Sequence, residues 1–258
     1  MNRERDRPLR VLLVSALVAV GCSLMVTAAV SYFRPMQAAY AALERNRVLI
    51  EAAGLTDAAA SLSDREVATL FRRLEIRAVD LRSGKFTDDV DPLGYDFDAA
   101  ATSADGSTPL PESSDIASIG RRPNYMPVYF RGSPNDPECI VLPVYGQGMW
   151  STIRAFIALG PDGNIIQALV IQDHAETPGI GDRIEDRAWL ASWTGKPVFD
   201  QRGVAIQLAK TGTAAGPNSI DGISGATITA RALVMLVQFW LGENGYGPLL
   251  ENLRKGAG

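Results

Sequence analysis

Between Asp221 and Thr229 the chain reads DGISGATIT, a hydroxyl-bearing string built on small residues. Gly222, Ser224, Gly225 and Ala226 leave room for a bulky anion to approach the backbone, and the run from Ile228 to Leu241 directly behind them supplies a helix. A phosphate sits well at such a helix N-terminus, where unpaired N–H groups and the positive end of the helix dipole converge. Thr227 carries the hydroxyl that would meet it. The plainer alternative is that Asp221 or Ser224 caps the helix, as residues of these types commonly do. A second string, HAETPGIG from His174 to Gly181, sets Glu176 and Thr177 on a turn. There Pro178 fixes the backbone, and Gly179 and Gly181 permit close approach or positive φ.

Together the two strings resemble the FMN-binding domain family whose flavin is joined through its phosphate to a threonine, and within it the C subunits of sodium-translocating NADH:quinone reductases. Other features stand in the family's order: an apolar N-terminal segment, YGQGMWS from Tyr145 to Ser151, a hairpin, HAETPGIG, Lys210 and the threonine motif. YGQGMWS is similar to the family's Gly-rich Leu-Trp-Ser string, with Met149 at the leucine position. The likeness is strongest from Tyr145 to Leu241.

The resemblance implies FMN held by a phosphoester to Thr227, with Ser224, Gly225 and Ala226 allowing its close approach. It gives Thr229 a hydrogen bond to phosphate or a capping role, and it gives Asp221 recognition by a separate flavin transferase that uses FAD and magnesium. Glu176 and Thr177 would lie beside the flavin ring. Trp150 and Met149 would offer apolar or stacking surface, or else ordinary core. Lys210 would sit near the phosphate or the ring carbonyls, or else in solvent. On this resemblance the chain is an electron-carrying subunit of a sodium-pumping NADH:ubiquinone oxidoreductase, with no turnover of its own. Its partners would be the other subunits of that complex, the membrane, and the flavin transferase during maturation. Three alternatives stay open: the related G subunit of the ion-translocating ferredoxin:NAD oxidoreductase complex, a membrane-anchored regulatory flavoprotein, and a non-redox membrane-anchored envelope binding module.

Other chemistries fit less well. The only histidine, His174, invites a serine-hydrolase reading with Ser224, yet GISGA lacks the GxSxG spacing of a nucleophile elbow. One histidine and two cysteines, Cys22 and Cys139, argue against a protein-only zinc or iron–sulfur site and against a disulfide framework. Cys139 reads as a buried small residue. A net charge of −4 gives no basic field for nucleic acid.

These residues need elements to hold them. Val11 to Phe33 is an uncharged run of 23 residues. As a helix it would extend about 35 Å against a hydrocarbon core of about 30 Å. Arg3, Arg5, Arg7 and Arg10 precede it, so the positive-inside bias places the N-terminus in the cytoplasm and the main domain outside it, at a bacterial inner membrane. A cleaved signal peptide ending near Thr27-Ala28-Ala29 and a lipoprotein box at Ala19-Val20-Gly21-Cys22 are the rivals, and the unbroken apolar run makes the span the simpler reading.

The sequence thus divides into residues 1–34, cytoplasmic N-terminus and transmembrane helix; 35–120, a helical and loop part; and 121–258, the FMN-binding domain. Pro35 opens a helix stopped by Gly54, and Ser63 with Glu66 makes a capping box ahead of a helix through Leu74. The Asp-rich stretch from Thr87 to Gly120 reads as solvated loop. Strands are expected at Tyr125 to Arg131, Ile140 to Tyr145 and Val204 to Leu208. Thr152 to Leu159 and Asn164 to Asp173 form a hairpin about the turn Gly160-Pro161-Asp162-Gly163. With a short helix around Trp189 and Trp193 and a longer one from Ile228, the class is α+β, an antiparallel sheet with packed helices.

Overall fold

The computed structural model describes residues 6–57 and 60–255. The chain divides into a unit ending at Arg45 and a unit beginning at Asn46. The described part of the first unit is helix. Helix α1, Asp6–Ala52, contains Pro35 in its interior, so Pro35 does not open a helix as its position suggested. The missing N–H of proline removes one rung of the ladder, and the helix continues on both sides of it. The most apolar stretch of α1 is unburied within the chain, with Val11, Leu12, Leu13 and Leu17 all exposed. By length and composition it is able to cross a membrane.

In the second unit the end of α1 buries Leu49, Ile50 and Ala52, and Gly54 at φ +65° stops the helix as expected. The capping box is present: Ser63 and Glu66 bond reciprocally ahead of α2, Asp64–Phe71. That helix is shorter than expected, because Leu74 already begins strand β1, Leu74–Asp80, followed by β2, Lys85–Thr87. The Asp-rich stretch is also more structured than a solvated loop. It holds α3, Phe97–Thr102, capped by Asp96, and β3, Ser107–Pro109, which pairs with β4, Arg121–Pro123. Asp98 there pairs with Arg154 at 2.8 Å.

Strands β5, Tyr125–Ser133, and β6, Asp136–Gln147, run straight through their prolines. The hairpin forms as read, from β7, Thr152–Leu159, to β8, Ile166–Asp173, with Gly163 at φ +63° supplying the turn. After it come a 3-10 turn at Gly181–Glu185 and α4, Arg187–Ala191. The expected strand at 204–208 is instead two short pieces. Of these, β10, Gly203–Val204, pairs with β9, Phe199–Asp200, and β11, Gln207–Ala209, pairs in parallel with β12, Ser219–Asp221. Two helices close the unit: α5, Thr227–Leu241, and α6, Gly247–Arg254, which the sequence reading did not anticipate.

The main sheet has six antiparallel strands in the order β2-β1-β5-β6-β7-β8. Residues from both sides of position 120 therefore share one sheet. Residues 139–146 of β6 are buried throughout, in a strand inside the sheet on which α5 packs. Gly146 allows the approach: a Cβ there would lie 2.8 Å from Leu236 Cβ. Pairing with β5 stops at Val141, and side chains from the helical layer meet two carbonyls farther along β6. The Tyr246 hydroxyl donates to Pro143 O at 2.9 Å, and the Trp240 indole N–H donates to Tyr145 O at 2.6 Å. Both rings are fully buried, so each donates a hydrogen bond from within the core. Tyr246→Phe keeps the ring and removes the donor from a buried carbonyl, and should lower stability by about 1–2 kcal/mol in urea unfolding. An unchanged midpoint would remove this bond from the packing scheme.

Candidate functional site

Three segments meet at one end of β7 and β8. The first is the connection from β6 to β7, where Gly148 N–H closes onto Ser151 O at 2.7 Å. That bond turns the N–H groups of Met149, Trp150 and Ser151 inward. The second is the string after β8, wound into a turn by Gly181 N–H donating to Thr177 O at 2.8 Å and by Gly179 at φ +76°. The third is the start of α5.

Glu176 joins all three. One carboxylate oxygen accepts from Trp150 N at 2.9 Å, Ser151 N at 3.1 Å and Ser151 Oγ at 3.3 Å. The other accepts from Met149 N at 3.2 Å and from Thr229 Oγ1 at 2.9 Å. Burial pushes the Glu176 carboxyl up, and the donors from Trp150, Thr229, Ser151 and Met149 outweigh that and hold it below its ordinary value. His174 steadies the backbone beside it. Its Nδ1 accepts from Glu176 N–H at 3.1 Å, which leaves Nε2 to carry the proton, 3.0 Å from Glu185 Oε1. The His174 ring thus shapes this turn.

The sequence also left open whether Asp221 or Ser224 caps α5. Neither does. The residue before the first helical turn is Ala226, and no side chain caps it. Asp221 Oδ1 accepts instead from Thr213 N at 3.0 Å and Ala214 N at 2.9 Å, while its carbonyl takes the Trp189 indole N–H at 2.7 Å. The Ser224 carbonyl accepts from the Arg183 guanidinium, and Gly225 at φ +82° turns the chain into the helix. As a result the N–H groups of Thr227, Ile228 and Thr229 meet no acceptor among the described residues. Thr227 itself is exposed, whereas Thr229 is buried on Glu176.

Between these segments lies a cavity of about 300 Å³ lined by Met149, Trp150, Glu176, Thr177, Ile180, Gly181 and residues 225–229. Its rim is apolar and open, with Trp150 67% and Met149 45% exposed. An apolar slot, a free hydroxyl and unpaired N–H groups at a helix start are what a flat cofactor with a phosphate tail requires.

Comparison with known proteins agrees. The FMN-binding domain family matches residues 148–242. The C subunit of the Na(+)-translocating NADH-quinone reductase of Pseudomonas aeruginosa is 39% identical, with 98% of each chain covered. The corresponding C subunit of Yersinia pestis is 36% identical, covering 99% of this chain and 96% of its own length. The crystal structure of Shewanella oneidensis NqrC superposes with a TM-score of 0.73 at 33% identity, covering 82% of this chain and 97% of the other.

The chain belongs to the family of Na(+)-translocating NADH-quinone reductase C subunits. Of the residues that the sequence pointed to in this C-subunit chain, the fold brings Trp150, Glu176, Thr177, Gly225, Ala226, Thr227 and Thr229 to the cavity wall. Ser224, Asp221 and the exposed Lys210 do not line it. Ile180 and Ile228, two further apolar rim residues, and the backbone N–H groups of 149–151 were not anticipated. The glycine of GQGMWS was the available signal for the latter, since Gly148 is the position where any Cβ would strike Glu176 Oε1, at 2.6 Å. Cys139 is buried as expected, its thiol pushed up to about 11 by burial.

Because the Glu176 carboxyl lies below its ordinary value in the folded chain, its contribution to stability is fully present above that ordinary value. The contribution is lost as pH falls through the lowered folded value. Glu176→Gln should therefore cost on the order of 2 kcal/mol at neutral pH, with the gap from the native protein closing in acid. Urea unfolding across pH checks this, and a gap that stays constant into acid would contradict it.

Proposed function

We propose that this chain is the electron-carrying C subunit of a Na(+)-translocating NADH-quinone reductase, holding FMN by a phosphoester at Thr227. The observation that carries the attachment point is the contrast between the motif's two threonines: Thr229 commits its hydroxyl to Glu176, and Thr227 stands exposed on the cavity wall at the first helical position. Full-length coverage of C subunits on both sides supports this reading over the G-subunit alternative.

The flavin, when bound, supplies one-electron chemistry; the protein supplies its position. Thr227 Oγ1 would form the bond to phosphorus, and the three free N–H groups of 227–229 would face the phosphate oxygens. Met149, Trp150, Ile180 and Ile228 would give the ring an apolar seat. Threonine is a weak nucleophile, and no base contacts Thr227 among the described residues, so a flavin transferase would make the bond. With FAD as donor, Thr227 Oγ1 would displace AMP at the flavin-side phosphorus: the Thr–O–P bond would form, the P–O–P bond would break, and the hydroxyl proton would be released. Asp221 would serve that transferase as part of the motif's shape, since its carboxylate folds the neighbouring loop. Ser224 would act through the turn it shares with Gly225, and Lys210 through solvent-borne charge.

The apolar run of α1 would anchor the chain in the inner membrane, with the domain periplasmic and the rest of the reductase complex as its electron partner. A cofactor outside the cytoplasm is hard to replace once lost, which gives covalent attachment its purpose.

Two measurements bear on this. Co-expression with a flavin transferase should give a fluorescent band after denaturing electrophoresis, absent in Thr227→Ala. A dark native band beside a flavinylated control protein would overturn the proposal. Alkaline phosphatase fused behind Lys255 should be active, and an inactive fusion of full length would reverse the orientation.

A further inference from the structure

Glu176 lines the flavin cavity, but it has nothing left to offer a flavin. A carboxylate presents about four lone-pair sites, and five donors from the chain already occupy them. Three are consecutive backbone N–H groups, those of Met149, Trp150 and Ser151, curled into the kind of concave nest that binds anions. Here the anion is part of the protein, and only 4% of the residue is exposed. Two glycines make the fit possible. A Cβ on Gly148 would stand 2.6 Å from Glu176 Oε1, and one on Gly181 would stand 2.8 Å from Glu176 Cβ.

The same carboxylate also holds Thr229, two residues beyond Thr227 on the first turn of α5. One side chain therefore fixes both walls of the cavity: the apolar wall of Met149 and Trp150, and the helix start that carries the attachment hydroxyl. The hydrogen bonds that the N–H groups of 149–151 make among the described residues all end on Glu176.

We propose that Glu176 is a positioning residue: it is a built-in anion that sets how the Met149–Trp150 wall faces the cofactor attached at Thr227, and it makes no contact of its own with the reacting ring. This rests on the flavin reading of the cavity given above. The wall would swing with the nest, so loss of the carboxylate would loosen the ring's surroundings and leave the covalent bond intact.

The test uses the full chain with Glu176→Gln and with Gly148→Ala, which keeps the carboxylate and wedges the nest off it. Two readouts are needed. Amide hydrogen exchange at Met149, Trp150 and Ser151, measured in the flavin-free Thr227→Ala background, reads the clamp whether or not a flavin ever binds. Visible circular dichroism, normalised to attached flavin, reads the ring's surroundings in the flavinylated chain. Both variants should raise exchange at these three amides by about tenfold or more and leave β6 and β7 protected. Both should also weaken the flavin's dichroic bands by at least about half, while each attached flavin stays on the denatured protein. Unchanged exchange in the two variants would overturn the clamp. Raised exchange with an unaltered dichroic spectrum would overturn the positioning role. If Glu176→Gln unfolds the domain, Gly148→Ala decides by the same two criteria. A native chain that takes no flavin from an active transferase overturns the positioning role together with the flavin reading, and the exchange result still stands for the clamp.

Discussion

The site depends on one buried charge. Glu176 lies where a sheet edge, a loop and a helix start converge, and a carboxylate in such a place is costly unless it is fully hydrogen-bonded. Three backbone amides and two hydroxyls meet it, all from residues flanking the cavity. Donors from the loop and from α5 share this one acceptor, so the segments are coupled: Thr229 is held by the same anion that holds the loop. Neighbouring features follow from this constraint. Glycine is required at 148 and 181 because any side chain there would enter the space of Glu176. A tight turn, closed by Gly181 N–H on Thr177 O, directly follows the carboxylate that meets the loop and α5.

Beneath the site the scaffold is well buried. Long β6 runs under α5, whose buried face includes Leu233, Leu236, Val237 and Trp240, and the aromatic donors of the helical layer hold β6 carbonyls directly. The first turn of α5 is the exception within this buried layer. Among the described residues it has no side-chain cap, three N–H groups without acceptors, and an exposed Thr227. On the proposed function these are the features left for a phosphate, and the uncapped end, a liability in an ordinary helix, becomes the place where the cofactor completes the structure. Apolar residues stay exposed around the cavity for the same reason: Met149, Trp150, Ile180 and Ile228 cover little of the protein itself.

Much of this was legible in the sequence, and the limits have physical causes. The hairpin of β7 and β8 was readable because Gly160-Pro161-Asp162-Gly163 is strong turn chemistry between two β-prone runs. The capping box at Ser63 was readable for a similar local reason. Strand β1 was missed because no Gly or Pro marks the two-residue turn, Arg72 and Arg73, between α2 and Leu74, and its pairing with β5 is a long-range fact that local pattern does not carry. Pro35 was misread as a helix start because a proline's preference for the first turn says nothing about a long helix already under way. In the site, the sequence marked the right strings but not the division of labour between them. Glu176 and Thr229 lie 53 residues apart, so nothing local shows that one hydroxyl binds the other's carboxylate. The backbone amides of 149–151 have no letter in the sequence at all; Gly148 was their only trace.

The central claim is that the motif's two threonines are separated by function, Thr229 bound to the internal carboxylate and Thr227 left for the cofactor. A crystal structure of the flavinylated chain tests it most directly. Density should join Thr227 Oγ1 to phosphorus, with the phosphate oxygens on the amides of 227–229 and the Thr229 to Glu176 bond kept near its present 2.9 Å. A phosphate that takes the Thr229 hydroxyl away from Glu176, or that is attached anywhere other than Thr227, would contradict it.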